Sequence, residues 1–139
     1  MVTAVLAAVA GSGVLPAAAG AQGLDVLFVG AHPDDEAGGM STYGAWGEEQ
    51  GVRTGVLIAT RGEGGGNAVG PEEGPALGLL REGEERSAVG RAGVRRVFNL
   101  DKLDFYYTVS APLTQQVWDE RETLARVVRS CAAPAPRCS

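Results

Sequence analysis

Three short apolar runs divide the chain between residues 24 and 100. They read LDVLFV at residues 24–29, VRTGVLIAT at residues 52–60 and VRRVFNL at residues 94–100. A run that is nearly continuous, rather than alternating, is typical of a strand with both faces buried in a parallel sheet. The pattern therefore predicts three strands, of which the first two are the most apolar.

Segments with helical spacing follow each of these runs, at residues 40–50, 79–92 and 113–129. Glycine commonly ends a helix, and Gly51 and Gly93 are predicted to end the first two. The residues predicted to face the sheet are Met40, Tyr43, Ala45, Trp46, Leu79, Leu80, Ala88, Val89, Val117, Leu124, Val127 and Val128. The alternation predicts an α/β fold with an open parallel sheet and flanking helices, whose ligands bind beyond the carboxyl ends of the strands.

The composition is that of a single globular domain, with 139 residues, 45% of them hydrophobic and 21% charged. Acidic residues outnumber basic residues by 17 to 12, which gives a net charge of -5. Because this charge repels phosphate backbones, nucleic acid is not an expected partner.

Residues 1–21 have the pattern of a secretory signal peptide. The opening run MVTAVLAAVA is shorter than the roughly 20 residues that a membrane-spanning helix needs, so no span is predicted. The tripeptide Ala19-Gly20-Ala21 matches the rule for cleavage before Gln22, although the usual positive charge at the start is missing. We expect a secreted or extracytoplasmic protein, or a cytoplasmic one if the segment is an uncleaved Ala-rich leader.

The expected domain covers residues 22–129, and residues 130–139 form a Pro- and Ala-rich segment that is predicted to be irregular. This tail contains Cys131 and Cys138, which lack the spacing of metal-binding cysteines. In an exported chain they could close a small disulfide loop, but two incidental thiols are the preferred interpretation.

The sequence AHPDDE at residues 31–36 places the single histidine of the chain beside three carboxylates, directly after the first strand. Imidazole and carboxylate groups bind Zn²⁺ or a similar divalent ion, and a further carboxylate can accept a proton from water. His32 and Asp35 are therefore candidate metal ligands, and Asp34 is a candidate base. From the residues alone, it is an equal alternative that Asp34 and Asp35 cap the following helix.

The glycine-rich segment 61–67, RGEGGGN, follows the second strand. It lacks the spacing of the known phosphate-binding loops, so it is not predicted to hold a nucleotide. A mobile lid or a loop that shapes the substrate pocket is preferred.

Four blocks of the sequence together resemble the LmbE-like or PIG-L family of zinc-dependent de-N-acetylases. They are AHPDDE, TRGEGGGN, LREGEE and DF, and the similarity extends over residues 24–129. The resemblance implies a Rossmann-like fold and hydrolysis of small N-acetylated amino sugars, such as N-acetylglucosamine derivatives, or of glycoconjugates. It also implies that His32 and Asp35 bind Zn²⁺, or another divalent ion, and that Asp34 is the general base.

The resemblance further places Arg81 of LREGEE and Asp104 of DF at positions that hold sugar hydroxyls. A different interpretation of each residue is equally good on the sequence alone. Arg81 could be a surface charge paired with Glu84 or Glu85, and Asp104 could be a turn residue.

The family takes a third metal ligand from a block such as H-x-D-H beyond a fourth strand, and that block does not occur here. We therefore expect an incomplete version of the fold, from a truncated or frame-shifted gene. Two hypotheses follow, since a catalytic zinc ion usually has three protein ligands. One is a metal-dependent de-N-acetylase, and the other is a non-catalytic remnant or sugar-binding fragment. A third hypothesis places the missing ligand on another chain, across an exposed edge of the sheet.

Overall fold

The computed structural model of the protein describes residues 23–132. The predicted signal peptide, Cys138 and most of the predicted irregular tail lie outside the described residues. Cys131 lies exposed on the last helix. Among the helices between residues 23 and 132, none is both long enough and apolar enough to cross a membrane.

The three apolar runs form one parallel sheet in the order β1-β2-β3. The strands are β1 (Val26–Gly30), β2 (Thr54–Ile58) and β3 (Arg96–Asn99), and the helices are α1 (Met40–Gln50), α2 (Gly74–Arg91), α3 (Ala111–Trp118) and α4 (Glu120–Ala132). The central strand β2 is buried along its whole length, as its continuous apolar run predicts. The prediction of an open parallel sheet with flanking helices is confirmed.

Helices α1 and α2 pack against one face of the sheet. Val56 and Ile58 lie on this face because they are two residues apart on the same strand. The residues of this core are Val56, Ile58, Val89 and Val94, with Phe28, Met40, Tyr43 and Val97 packed around them. Helix α1 has the predicted bounds and ends at Gly51, whose φ of 67° few other residues adopt. The packing holds the three carboxyl ends of the strands at one edge.

The orientation of α2 differs from the prediction. The helical spacing predicts that Leu79 and Leu80 face the sheet, but both side chains are exposed. The helix also begins earlier than predicted, at Gly74, with a proline in its first turn. The buried positions of α2 are Leu77, Gly78, Glu85 and Val89. Val89 is buried as predicted, but one of the other positions is charged and one is glycine, so apolar spacing alone does not define the buried face.

The single helix predicted for residues 113–129 is two helices, α3 and α4, which are separated at Asp119. Asp119 has a φ of 56°, and its Oδ1 accepts a hydrogen bond from the Glu122 N–H (3.1 Å), which caps α4. The Trp118 carbonyl accepts a hydrogen bond from Lys102 Nζ (2.8 Å). The exposed members of the predicted apolar stripe are Val117, Leu124 and Val128. Helix α4 continues to Ala132, so the first residues of the predicted tail are helical.

Glu85 on α2 is a buried carboxyl group, with 3% of its surface exposed. Neither of its side-chain oxygens has a hydrogen-bond partner among the described residues. Burial, and next the charge of Glu36, raise the pKa of Glu85 to about 7, well above that of an exposed glutamate. Ionisation of this group therefore lowers the stability of the folded chain.

Replacement of Glu85 by leucine is expected to stabilise the protein at mildly alkaline pH, by on the order of 2 kcal/mol. The folded state retains a proton on Glu85 that the unfolded chain releases near pH 4.5, so the contribution of Glu85 to the stability falls as the pH rises from there to about 7. Urea unfolding at several pH values measures the difference. Glu84→Leu, at the exposed neighbouring position, is the matched control. Identical pH dependence in Glu85→Leu and the wild type would contradict this account.

Candidate active site

The loops that follow the three strands meet at the carboxyl edge of the sheet. We name them loop 1 (residues 31–36), loop 2 (residues 59–73) and loop 3 (residues 100–110). Backbone hydrogen bonds continue from the sheet into the loops, from Thr60 N–H to the Ala31 carbonyl (2.9 Å) and from Lys102 N–H to the Ala59 carbonyl (2.9 Å). All five site residues predicted from the sequence lie on these loops or on the adjacent face of α2.

Loop 1 folds around the carboxylate of Asp35. Asp35 Oδ2 accepts hydrogen bonds from the backbone N–H groups of Ala31 (2.7 Å) and His32 (2.9 Å). The ring Nδ1 of His32 lies 4.0 Å from the same oxygen. A Cβ atom at Gly30 would lie 2.9 Å from the Cβ of Asp35, so glycine is needed where β1 ends. The Asp35 carboxylate thus binds the backbone that precedes it and does not cap a helix.

Asp34 has a backbone φ of 113°, which residues other than glycine rarely adopt. Its N–H donates to Glu36 Oε2 (3.2 Å). Arg81 Nη2 donates to the Pro33 carbonyl (2.7 Å) and to Asp34 Oδ2 (3.0 Å). These contacts hold the strained residue in place, and its side chain remains 71% exposed. The result is a carboxylate that is open to solvent and lies beside a guanidinium group.

Arg81 extends from α2 to both of the first two loops. Besides its bond to Asp34, the guanidinium donates from Nη1 to the Gly62 carbonyl of loop 2 (3.3 Å). The side chain is partly buried by these contacts. Arg81 therefore binds loops 1 and 2, and the alternative interpretation of Arg81 as a surface charge paired with Glu84 or Glu85 is wrong.

Asp104 of loop 3 connects all three loops. Its Oδ1 lies 3.1 Å from His32 Nε2, and its Oδ2 accepts a hydrogen bond from the Gly64 N–H of loop 2 (2.9 Å). The side chain is only 6% exposed. An ionised carboxylate can only accept hydrogen bonds, so the tautomer of His32 that suits this pair is the one with its proton on Nε2. The sequence indicated that Asp104 belongs to the site but gave no sign of its contact with His32.

Two glutamates without a predicted role support these loops. Glu36 is buried and binds the Asp34 N–H. Glu63 accepts hydrogen bonds from the backbone of Arg61 (3.0 Å) and of Asp104 (3.1 Å). Glu36 belongs to the block AHPDDE and Glu63 to the block TRGEGGGN. Membership of these two blocks is the sequence signal that could have identified them.

Helix α2 is fixed to loops 2 and 3 by ion pairs. Arg61 Nε donates to Glu82 Oε2 (2.6 Å), and Arg61 Nη1 lies 2.6 Å from Asp101 Oδ1. The hydrogen bond from Arg61, and next that from Arg86, hold the pKa of Glu82 below its ordinary value. The bond to Glu82 likewise raises the pKa of Arg61. These contacts fix the segment from which Arg81 reaches the site.

The donor groups of loop 1 fit a divalent metal ion in kind but not in number. His32 and Asp35 provide an imidazole and a carboxylate whose nearest atoms are 4.0 Å apart. A catalytic zinc ion takes such ligands but usually has three of them from the protein. Across residues 23–132, no three side chains of His, Cys, Asp or Glu are close enough together to hold a metal ion. The described range therefore supplies two candidate ligands.

The chain matches a protein-family model and several solved structures, two of which are compared with it below. The family model described as PIG-L: GlcNAc-PI de-N-acetylase matches residues 27–137, whereas no curated protein matches the chain. N,N'-diacetylchitobiose deacetylase from Pyrococcus horikoshii, solved with its inhibitor, is 25% identical with a TM-score of 0.56, over 75% of this chain and 36% of that one. A conserved protein from Thermus thermophilus is 34% identical with a TM-score of 0.45, over 58% of this chain and 33% of that one. The chain thus matches about a third of the length of each solved protein.

At position 34, glycine is expected to give a more stable protein than alanine. Alanine retains a Cβ at a φ of 113°, whereas glycine adopts this angle without a steric cost. Asp34→Gly should therefore exceed Asp34→Ala in free energy of unfolding by about 1–2 kcal/mol. Urea unfolding of both variants measures the difference.

The matched control for position 34 is Glu48, an exposed residue inside α1. There the order should reverse, because glycine in a helix is about 1 kcal/mol less favourable than alanine. Equal stability of the two variants at position 34 would show that Asp34 is not strained.

Proposed function

The chain belongs to the PIG-L family, and we propose that it hydrolyses the N-acetyl group of an amino sugar or glycoconjugate. The observation that carries this proposal is the strained, exposed Asp34 beside Arg81 and next to the pair of His32 and Asp35. This group lies at the edge where parallel sheets bind their ligands, and strained residues cluster at functional sites. The chain matches 36% of the length of the solved deacetylase. The activity of a whole deacetylase is therefore itself a proposal for this chain.

Asp34 is the proposed general base. Its carboxylate is exposed to water, and Arg81 Nη2 lies 3.0 Å from its Oδ2. It accepts a proton from water while the water oxygen attacks the carbonyl carbon of the acetamide. Asp34 returns this proton to the nitrogen as the carbon–nitrogen bond breaks, and the amine takes the second proton from the acetic acid formed, so that acetate and the protonated amine leave. The backbone contacts of Asp34 serve to hold its carboxylate in one place during this step.

His32 and Asp35 are the residues that we propose to hold a zinc ion or another divalent ion. When bound, such an ion polarises the acetamide carbonyl and acidifies water. The role of these two side chains is to present one nitrogen and one carboxylate oxygen on a turn fixed by the backbone of loop 1. The sequence has a single histidine, so a third ligand would be a carboxylate or thiolate of this sequence, or a group from outside it.

Arg81 is proposed to bind a hydroxyl group of the sugar, because its guanidinium lies beside the base and remains partly exposed. The family resemblance implies the same role for Asp104. Both Asp104 oxygens, however, are bonded within the protein, to His32 and Gly64, and the side chain is 6% exposed. A sugar could bind Asp104 only by displacing one of these bonds, so we assign Asp104 to holding His32.

The second candidate function is sugar binding without turnover, in a remnant of a deacetylase. The observation in its favour is that the described residues bring together two metal ligands rather than three. Export, for either function, is a proposal that rests on residues 1–21 alone.

Asp34→Asn is expected to lower the rate of acetate release from N,N'-diacetylchitobiose by at least about 100-fold, because asparagine cannot accept the proton. The probe is the sugar in the name of the Pyrococcus horikoshii enzyme. Acetate is measured enzymatically in the presence of zinc. Circular dichroism shows whether the variant is folded.

The control is Glu48→Gln on the exposed side of α1, which should keep the wild-type rate. A rate that is unchanged in Asp34→Asn would remove Asp34 from the mechanism. A wild-type chain that binds the sugar, takes up zinc and releases no acetate would refute hydrolysis and support the binding fragment.

A further inference from the structure

Loops 2 and 3 are joined by Glu63, a side chain that the proposed reaction does not use. Its Oε1 accepts a hydrogen bond from the Asp104 N–H (3.1 Å), and its Oε2 accepts one from the Arg61 N–H (3.0 Å). Both donors belong to the backbone, so the two bonds fix the path of the main chain on either side. A carboxylate suits this position because it offers an acceptor oxygen to each donor and no hydrogen of its own.

Gly64, the residue after Glu63, binds the side chain of Asp104. The Gly64 N–H donates to Asp104 Oδ2 (2.9 Å), while Glu63 binds the Asp104 N–H. One short segment of loop 2 therefore fixes both the backbone and the carboxylate of Asp104. This leaves Asp104 Oδ1 directed at His32 Nε2, 3.1 Å away.

The two loops touch at this point through their backbones. A Cβ atom on Gly64 would lie 2.8 Å from the Tyr106 nitrogen and 2.9 Å from the Asp104 carbonyl oxygen. These are main-chain atoms, which cannot move aside as the end of a flexible side chain does. A Cβ on Gly66, by contrast, would meet no atom within 4 Å. Among the glycines of loop 2, Gly64 is thus the one whose Cβ would meet the backbone of loop 3.

We propose that Glu63 is a positioning residue, which holds Asp104 against His32 and thereby fixes the orientation of the imidazole ring. The inference deepens the proposed function. It rests on that function only for the role of the imidazole in the reaction. Two contacts connect Glu63 to the ring: the Glu63 carboxylate binds the Asp104 backbone, and the Asp104 carboxylate binds the imidazole of His32. Loss of the bond between Glu63 and the Asp104 N–H removes one of the contacts that fix Asp104, and so loosens its carboxylate against the His32 ring.

Glu63→Gln tests the proposal, because an amide accepts one of the two hydrogen bonds and places its NH₂ against the other donor. His32 is the single histidine, so its imidazole signals in an NMR spectrum of the untagged, metal-free protein are unambiguous. We expect Glu63→Gln to shift these signals in the same direction as Asp104→Ala does. Unchanged His32 signals in a folded Glu63→Gln variant would overturn the proposal.

Glu72→Gln is the matched control. Glu72 is a carboxylate of the same loop, and its Oε2 accepts a hydrogen bond from Asn67 Nδ2 (2.8 Å) within loop 2. This change should leave the His32 signals where they are in the wild type. A shift as large as that of Glu63→Gln would mean that any disturbance of loop 2 moves the ring, and would also overturn the proposal.

A measurement on the unmodified chain tests the contact even if Glu63→Gln does not fold. The Glu63 carboxyl carbon and the Asp104 amide nitrogen should show a scalar coupling across their hydrogen bond in the wild type. A spectrum that shows couplings across the backbone hydrogen bonds of the sheet but none here would overturn the proposal. Neither readout depends on turnover. Absence of deacetylation with the coupling present refutes the proposed function alone, and acetate release without the coupling refutes this inference alone.

Discussion

The candidate site depends on the carboxylate of Asp104, where three loops that are far apart in sequence meet at one side chain. A parallel sheet brings the loops after its strands to the same edge, but it does not fix how they face one another. Asp104 does so with one oxygen on the His32 ring and the other on the Gly64 backbone. Arg81 adds a second connection, between loop 1 and loop 2. The orientation of the proposed metal ligand and base thus follows from a few charge-assisted hydrogen bonds.

Two groups that lower stability lie beside the proposed base or are that base. Asp34 and Glu85 contribute to the lining of one cavity of about 310 Å³, together with Arg81 and Glu36. Asp34 has a strained backbone, and Glu85 is a buried carboxyl without a hydrogen-bond partner among the described residues. Glu36 links the two, because it binds the Asp34 N–H and raises the pKa of Glu85. Such costs persist where the surroundings enforce them, and they are common at functional sites.

Local sequence signals identify the strands and point to the candidate residues of loop 1, but they do not identify the partners of those side chains. A continuous apolar run identifies β2, and AHPDDE directly after β1 identifies loop 1. The apolar spacing does not reveal the break at Asp119, where Asp119 caps α4 and Lys102, which is distant in sequence, binds the Trp118 carbonyl. Likewise, no local pattern indicates that Arg81 binds Asp34 rather than a glutamate one turn away. The choice of partner is made by tertiary contacts.

The most direct test of this account is the tautomer of His32, because the proton position on the ring reports which side faces Asp104. Long-range proton–nitrogen NMR of the metal-free, untagged chain, at a pH where the ring is neutral, identifies the protonated nitrogen. The account predicts a proton on Nε2, which donates to Asp104, and a free electron pair on Nδ1, which faces Asp35. A proton on Nδ1, or a tautomer ratio that is the same in Asp104→Ala, would contradict the claim that Asp104 organises the site.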